Sequence, residues 1–172
     1  MSDTNETISG KIPLAPRERV RAKVDAPTWQ ASVDTAGELL IRGGQCTEAY
    51  VSAMKDAVRD IGPYIVVAPG VAMPHARPEA GVLEPGVSII TLAEPVEFGH
   101  TTNDPVDVVI AFAALDKQAH LQALQQIVTV IQDSQTLAEL RAAQSDDAAH
   151  EILLRRGLTA TNDQINQSRS SS

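Results

Sequence analysis

Cysteine is nearly missing from this chain. Cys46 is the only one among 172 residues, so no internal disulfide can form and a cysteine-based zinc site is excluded. A reducing compartment is the simple expectation. Aromatic residues are almost as scarce, at 3%, and the core therefore has to be built from Val, Ile, Leu and Ala. No stretch approaches the roughly 18 consecutive apolar residues of a membrane span. The first residues, MSDTNETISGK, are polar and carry acidic groups, unlike a secretory signal, and a cytoplasmic protein is expected. Basic residues are outnumbered, 14 Lys and Arg against 22 Asp and Glu, for a formal charge of -8. Such a balance argues against a nucleic-acid phosphate surface and against docking on anionic lipid. Neither a phosphate-cradling P-loop nor a dinucleotide glycine pattern occurs.

What is present suits one globular domain. Hydrophobic residues make up 43% of the chain, enough to bury a sizeable interior at this length. Residues 1–27 are polar, proline-containing and aperiodic, and read as a flexible lead. Residues 159–172 read as a disordered polar tail, which leaves 28–158 as the folded domain. TWQASVDTAGELLIRGG carries a threonine start signal, helical spacing and a Gly43-Gly44 stop. Thr47 is expected to cap a second helix with Tyr50, Val51, Met54, Val58 and Ile61 on one face, ended by Gly62-Pro63. YIVVA, GVSIITLA and VDVVIAFAAL read as strands, the last apolar enough to be covered on both faces. DKQAHLQALQQIVTVIQD reads as a helix, followed by shorter ones near 135–143 and 145–156. The expected fold is α/β: a small, mixed central sheet flanked by helices.

Four histidines are present, and two of them stand out. In GVAMPHARPEAG an apolar run ends at Pro74, and His75 and Arg77 follow in a loop beside a rigid sheet, where reacting groups tend to sit. A neutral imidazole nitrogen is a good nucleophile near neutral pH and can take a phosphoryl group and surrender it again. Such a transfer needs positioning and positive donors around the equatorial oxygens. Arg77 is a candidate donor, because guanidinium suits phosphate geometry. Spacing alone does not separate this arrangement from an ordinary loop histidine beside a solvated arginine. His120 falls in the first turns of a helix, where it could donate a hydrogen bond to an anion. If VDVVIAFAAL lies beside the strand leading to His75, both rings emerge at one sheet edge.

The other polar candidates read as local. His100 precedes a turn-forming TTNDP, and Asn103 and Asp104 shape that turn. His150 sits on the last helix among acidic residues and alanines. Arg59 reads as a solvated charge, and Cys46 as a small apolar residue without a basic neighbour. A metal site using several histidines with Asp104 or Asp116 has no supporting spacing.

GPYIVVAPGVAMPHARPEAGV and NDPVDVVIAFAALDKQAHLQAL, in that order, resemble the IIA component of the bacterial sugar phosphotransferase system, mannitol–fructose superfamily. The MPHARPE form is most similar to its ascorbate-type branch. The resemblance spans residues 28–156. It implies a phosphohistidine carrier with a central mixed sheet flanked by helices. It implies His75 as phosphoryl acceptor, reacting through Nε2, and His120 as the second active-site histidine; Arg77 remains a possible phosphate contact on physical grounds. It implies the phosphocarrier HPr as donor, a cysteine of a IIB component as acceptor and a membrane IIC component that admits the sugar, with no cofactor and no metal. An active-site arginine of mannitol-type members has no clear counterpart, since Arg59 lies at a different offset from Met54. Cys46 lies upstream of the histidine motif, so the IIB acceptor is expected on another polypeptide or domain. Ala72, Met73 and Ala76 are expected to serve transient docking. A regulatory module whose phosphorylation state controls partner proteins is the alternative reading.

Overall fold

The computed structural model describes residues 15–155. Five strands form one mixed sheet: β1 (Val20–Val24), β2 (Val66–Ala68), β3 (Val71–Ala72), β4 (Gly86–Val96) and β5 (Val106–Ala113). Their spatial order is β1-β4-β5-β3-β2. β1 runs parallel to β4, β4 antiparallel to β5, β5 parallel to β3, and β3 antiparallel to β2. Five α-helices accompany them among the described residues: α1 (Trp29–Arg42), α2 (Glu48–Ile61), α3 (Lys117–Gln132), α4 (Ser134–Ala142) and α5 (Asp146–Arg155). The expected class, a mixed sheet flanked by helices, is the observed one.

The sheet is covered on both faces, and β5 shows how. Successive side chains of a strand point to opposite faces. Val108, Ile110 and Phe112 join the core formed with α3, α4 and α5, through Ala123, Ile127, Leu140 and Leu153. Val109, Ala111 and Ala113 join the second core, formed with α1 and α2 through Val33, Leu40, Tyr50 and Met54. A strand buried on both sides has no polar alternation to show, which is why VDVVIAFA reads as one apolar run. Each fully buried Ile, Val or Phe side chain contributes about 1.5–3 kcal/mol relative to its exposed state.

Two differences from the sequence reading matter for the site. Residues 15–27 are not merely a lead: Arg17–Arg19 form a 3-10 turn and Val20–Val24 the outer strand β1. The segment VRAKV does alternate apolar and basic residues at the period of a strand, but over only five residues inside a polar, proline-containing stretch. The expected lead at 1–14 and tail at 159–172 lie outside the described residues. Secondly, YIVVA does not lead directly to His75. The chain reverses at Pro69-Gly70, with Gly70 at φ 76°, and the two-residue β3 then runs beside β5. No helix among the described residues is long and apolar enough to cross a membrane.

Candidate functional site

β3 and β5 are parallel, so their C-terminal ends open on one edge of the sheet. His75 leaves β3 three residues after Ala72. His120 sits in the first turns of α3, which starts just past the end of β5. The conditional inference from sequence is thus satisfied: the two rings meet, with centroids 5.3 Å apart and nearly edge to face. The His75 imidazole stacks on the Phe112 ring at 4.7 Å and 25°, and Phe112 also touches His120 at 5.3 Å. Tyr64 approaches His75 edge-on at 6.2 Å. Phe112 is fully buried in the sheet and acts as a rigid floor under both imidazoles.

The orientation of the His75 ring follows from one hydrogen bond. Its Nδ1 lies 2.8 Å from the Met73 carbonyl oxygen. A carbonyl can only accept, so Nδ1 carries the hydrogen, and in the neutral ring the lone pair is then on Nε2. Burial pushes the His75 pKa down from its ordinary value of 6.5; the Met73 hydrogen bond opposes this, and the charge of a protonated His120 adds to it. The net effect keeps the ring neutral, with a nucleophilic nitrogen, at physiological pH.

An open cleft of about 710 Å³ lies over the two rings. Arg77 and Lys117 line it, against Asp56, Glu79 and Asp116. Arg77 is exposed and has no ion-pair partner among the described residues. The N-terminus of α3 is not an open anion site, because the Asp116 carboxylate caps it and accepts the Ala119 N–H at 2.8 Å. Any help that His120 gives an anion must therefore come from its ring, and the helix end adds little.

The remaining candidates sit elsewhere. Arg59 is half exposed and does not itself line the cleft, though it pairs at 2.7 Å with Asp56, which does. His100 accepts the N–H groups of Thr102 and Asn103 through Nδ1, and Asp104 accepts three backbone N–H groups of the same loop. His150 lies on α5, whose buried residues belong to the core under α3 and α4. Cys46 is buried, and burial pushes its thiol pKa up to about 11, so it is a poor nucleophile. Ala72 and Met73, expected at a docking surface, are 0% and 2% exposed. The β3 ladder and the covering helices enclose both, and only Ala76 reaches the cleft. The exposed apolar side chains there are Ile61 and Tyr64.

Sequence reasoning missed Tyr50, Phe112, Tyr64 and Lys117 as site residues. Tyr50 belongs to the apolar stripe of α2, as its spacing predicts. Its hydroxyl was the overlooked signal, since a buried phenol needs partners. It donates to the Phe112 carbonyl at 2.7 Å and accepts the Ala76 N–H at 3.0 Å.

Fold and cleft together define an α/β protein that presents two converging imidazoles, one with Nδ1 bonded to a backbone carbonyl, at the C-terminal ends of two parallel strands. Comparison with known proteins gives that class a family. Residues 14–156 match the family model described as the phosphoenolpyruvate-dependent sugar phosphotransferase system, EIIA 2, and the chain belongs to that family. It is an EIIA component, a phosphocarrier of the phosphotransferase system. The chain is 38% identical over 148 residues to the ascorbate-specific PTS system EIIA component of Escherichia coli, covering 86% of this chain and 96% of that protein. Among solved structures, the mannitol-specific cryptic phosphotransferase enzyme IIA CmtB of Escherichia coli superposes with a TM-score of 0.74. It shares 32% identity, over 86% of this chain and 98% of that one. Enzyme IIA mannitol of Escherichia coli, solved in complex with phosphorylated enzyme IIB mannitol, gives a TM-score of 0.72 at 28% identity, over 82% of this chain and 97% of its own.

Proposed function

We propose that His75 is the phosphoryl-accepting residue of this carrier, reacting through Nε2, with His120 stabilising the transferred group and Arg77 contacting its oxygens. The donor is the phosphohistidine of HPr and the acceptor a cysteine of a IIB component, in the cytoplasm, serving uptake of ascorbate or a related sugar through a IIC permease. The observation that carries this reading is the pair of rings 5.3 Å apart, with Nδ1 of His75 engaged and Nε2 directed away from Met73. The likeness to ascorbate-specific relatives supports the choice of sugar, and the complex of a related IIA with its IIB supports the acceptor.

The steps balance as follows. The Nε2 lone pair of neutral His75 attacks phosphorus in line, and the P–N bond to the protonated donor ring breaks. That ring leaves as neutral imidazole, and the His75 ring becomes a phosphoimidazolium. The Nδ1–H then points a positive ring at the Met73 carbonyl, a charge-assisted bond stronger than a neutral one. In the second step a cysteine thiolate attacks the same phosphorus, an S–P bond forms, and the N–P electron pair returns to His75. The ring that enters neutral leaves neutral, with Nδ1–H unchanged throughout.

Incubation with phosphorylated HPr tests the assignment. Acid-labile label is expected on the native chain and absent from His75→Ala, while His120→Ala keeps its fold and accepts the group about 10²–10³-fold more slowly, the usual cost of losing one electrostatic donor. Label undiminished in His75→Ala would remove His75 from the role. An unfolded His120→Ala would make His120 a structural residue.

A further inference from the structure

The β3–β5 ladder contains a foreign rung, and it sits at His75. The register pairs Val71 with Val108 and Ala72 with Val109. Val108 N–H bonds the Gly70 carbonyl at 3.0 Å, and four residues further along both strands Phe112 N–H bonds the Pro74 carbonyl at 3.1 Å. A parallel ladder continued in this register would next join Ala76 N–H to the Phe112 carbonyl. That direct bond is not made. The Tyr50 hydroxyl stands between the two groups, accepting from Ala76 N–H at 3.0 Å and donating to the Phe112 carbonyl at 2.7 Å. The Ala76 carbonyl is a more distant neighbour of the same oxygen at 3.3 Å. Tyr50 itself is 0% exposed.

Both peptides flanking the His75 Cα are therefore tied to one residue of β5. The peptide before it is held by the Phe112 N–H directly. The peptide after it is held by the Phe112 carbonyl, at the width of one hydroxyl. Phe112 also supplies the ring under the imidazole. We propose that Tyr50 is a positioning residue for phosphoryl transfer: its hydroxyl holds the chain away from β5 at His75, so that the imidazole lies over Phe112 with Nδ1 on the Met73 carbonyl and Nε2 facing the cleft. This deepens the assignment of His75 as acceptor and rests on it. A phenol is suited to the task because it offers one donor and one acceptor on a stiff ring anchored in α2, and burial pushes its pKa up to about 12, so it stays protonated.

Tyr50→Phe is the direct test, read by the ¹⁵N spectrum of the imidazoles and by the rate of label transfer from phosphorylated HPr. Without the hydroxyl, the ladder rung can close directly, drawing Ala76 toward β5 and breaking the His75–Met73 alignment. The native protein is expected to show a single His75 tautomer with hydrogen on Nδ1. The variant is expected to show a mixture, and to accept the phosphoryl group about 10–100-fold more slowly, the scale of an ångström-sized misplacement. An unchanged tautomer in folded Tyr50→Phe, whatever its rate, would overturn the proposal. The tautomer is read on unphosphorylated protein, so a native chain that takes no label would sink the acceptor assignment without touching the result for Tyr50. If Tyr50→Phe does not fold, 3,5-difluorotyrosine can be incorporated in a Tyr64→Phe background, leaving Tyr50 as the single tyrosine. Its more acidic phenol should lose the donor to Phe112 at alkaline pH and bring a fall in transfer that the unfluorinated Tyr64→Phe protein lacks; identical pH profiles would overturn the proposal.

Discussion

At the residue scale the proposed transfer requires one imidazole kept neutral and aimed. Solvation alone would leave a histidine near its ordinary pKa of about 6.5. Here burial lowers it, and a protonated His120 would lower it further. The linkage sign follows directly. The unfolded ring binds a proton more readily than the folded one, so folding favours the neutral form. The contribution of His75 to stability is complete above the unfolded value near 6.5 and is lost as pH falls through the lower folded value. A titration of the His75 ring by NMR should show its midpoint below 6.5. Denaturation of the native chain should lose stability below that pH faster than His75→Gln. A midpoint at or above the ordinary value would mean that the ring is better solvated than its packing on Phe112 implies, and that protonation competes with phosphorus in the working range.

At the element scale the site depends on a very short strand. β3 is two residues long, and its pairing with β5 is what carries His75 to the edge where α3 begins. The turn feeding it is fixed by Gly70, whose φ of 76° suits glycine. A Cβ there would come within 2.6 Å of Arg141 Nη2 and 3.0 Å of Asp107 Oδ1. Those two side chains are joined at 2.9 Å, and Arg141 also holds the Pro69 carbonyl at 2.9 Å. Gly70→Ala should therefore cost about 1–3 kcal/mol, combining backbone strain with displacement of a half-buried ion pair. It should also slow phosphoryl acceptance, because the turn sets the register of β3. A variant with native thermal stability and native rate would show that β3 is positioned from its other end, by Phe112 and Tyr50. The same element explains what sequence reading could and could not see. Apolar runs and caps are local signals, so α1, α2, α3, β4 and β5 were legible. The Thr28 and Asp116 caps do accept their N–H groups, but the expected Thr47 cap is not made: its hydroxyl donates to the Gly81 carbonyl instead. β3 and β1 were not: two residues are too few to show a period, and the alternation of VRAKV is a single short repeat carried by a charged, half-buried edge. His75 and His120 were legible as a motif pair. The Tyr50 rung was not, since it depends on a register that exists only once three distant segments have met.

At the scale of the whole molecule the question is how a carrier with a net charge of -8 receives and passes a charged group through two successive protein partners. The cleft rim is close to balanced, with Arg77 and Lys117 against Asp56, Glu79 and Asp116, so long-range attraction from the rim alone is weak. Contact must then rely on apolar surface, and two large apolar side chains of the cleft lining are open to it. Ile61 at the end of α2 is 73% exposed and Tyr64 49% exposed. An isoleucine left this exposed gains little for the fold, since surface substitutions usually move stability by less than about 0.5 kcal/mol. Ile61→Glu should thus leave the thermal midpoint nearly unchanged, and it places a charge where a partner must exclude water. The expected result is a KM for the phosphorylated donor raised about tenfold, the cost of losing a single contact of moderate strength, with the maximal rate preserved because neither imidazole moves. Single-turnover rates measured against donor concentration separate the two parameters. An unchanged KM would place the docking contacts away from α2, on the α3 side of the cleft. A fall in the maximal rate would instead mean that the end of α2 positions Tyr64 against the His75 ring.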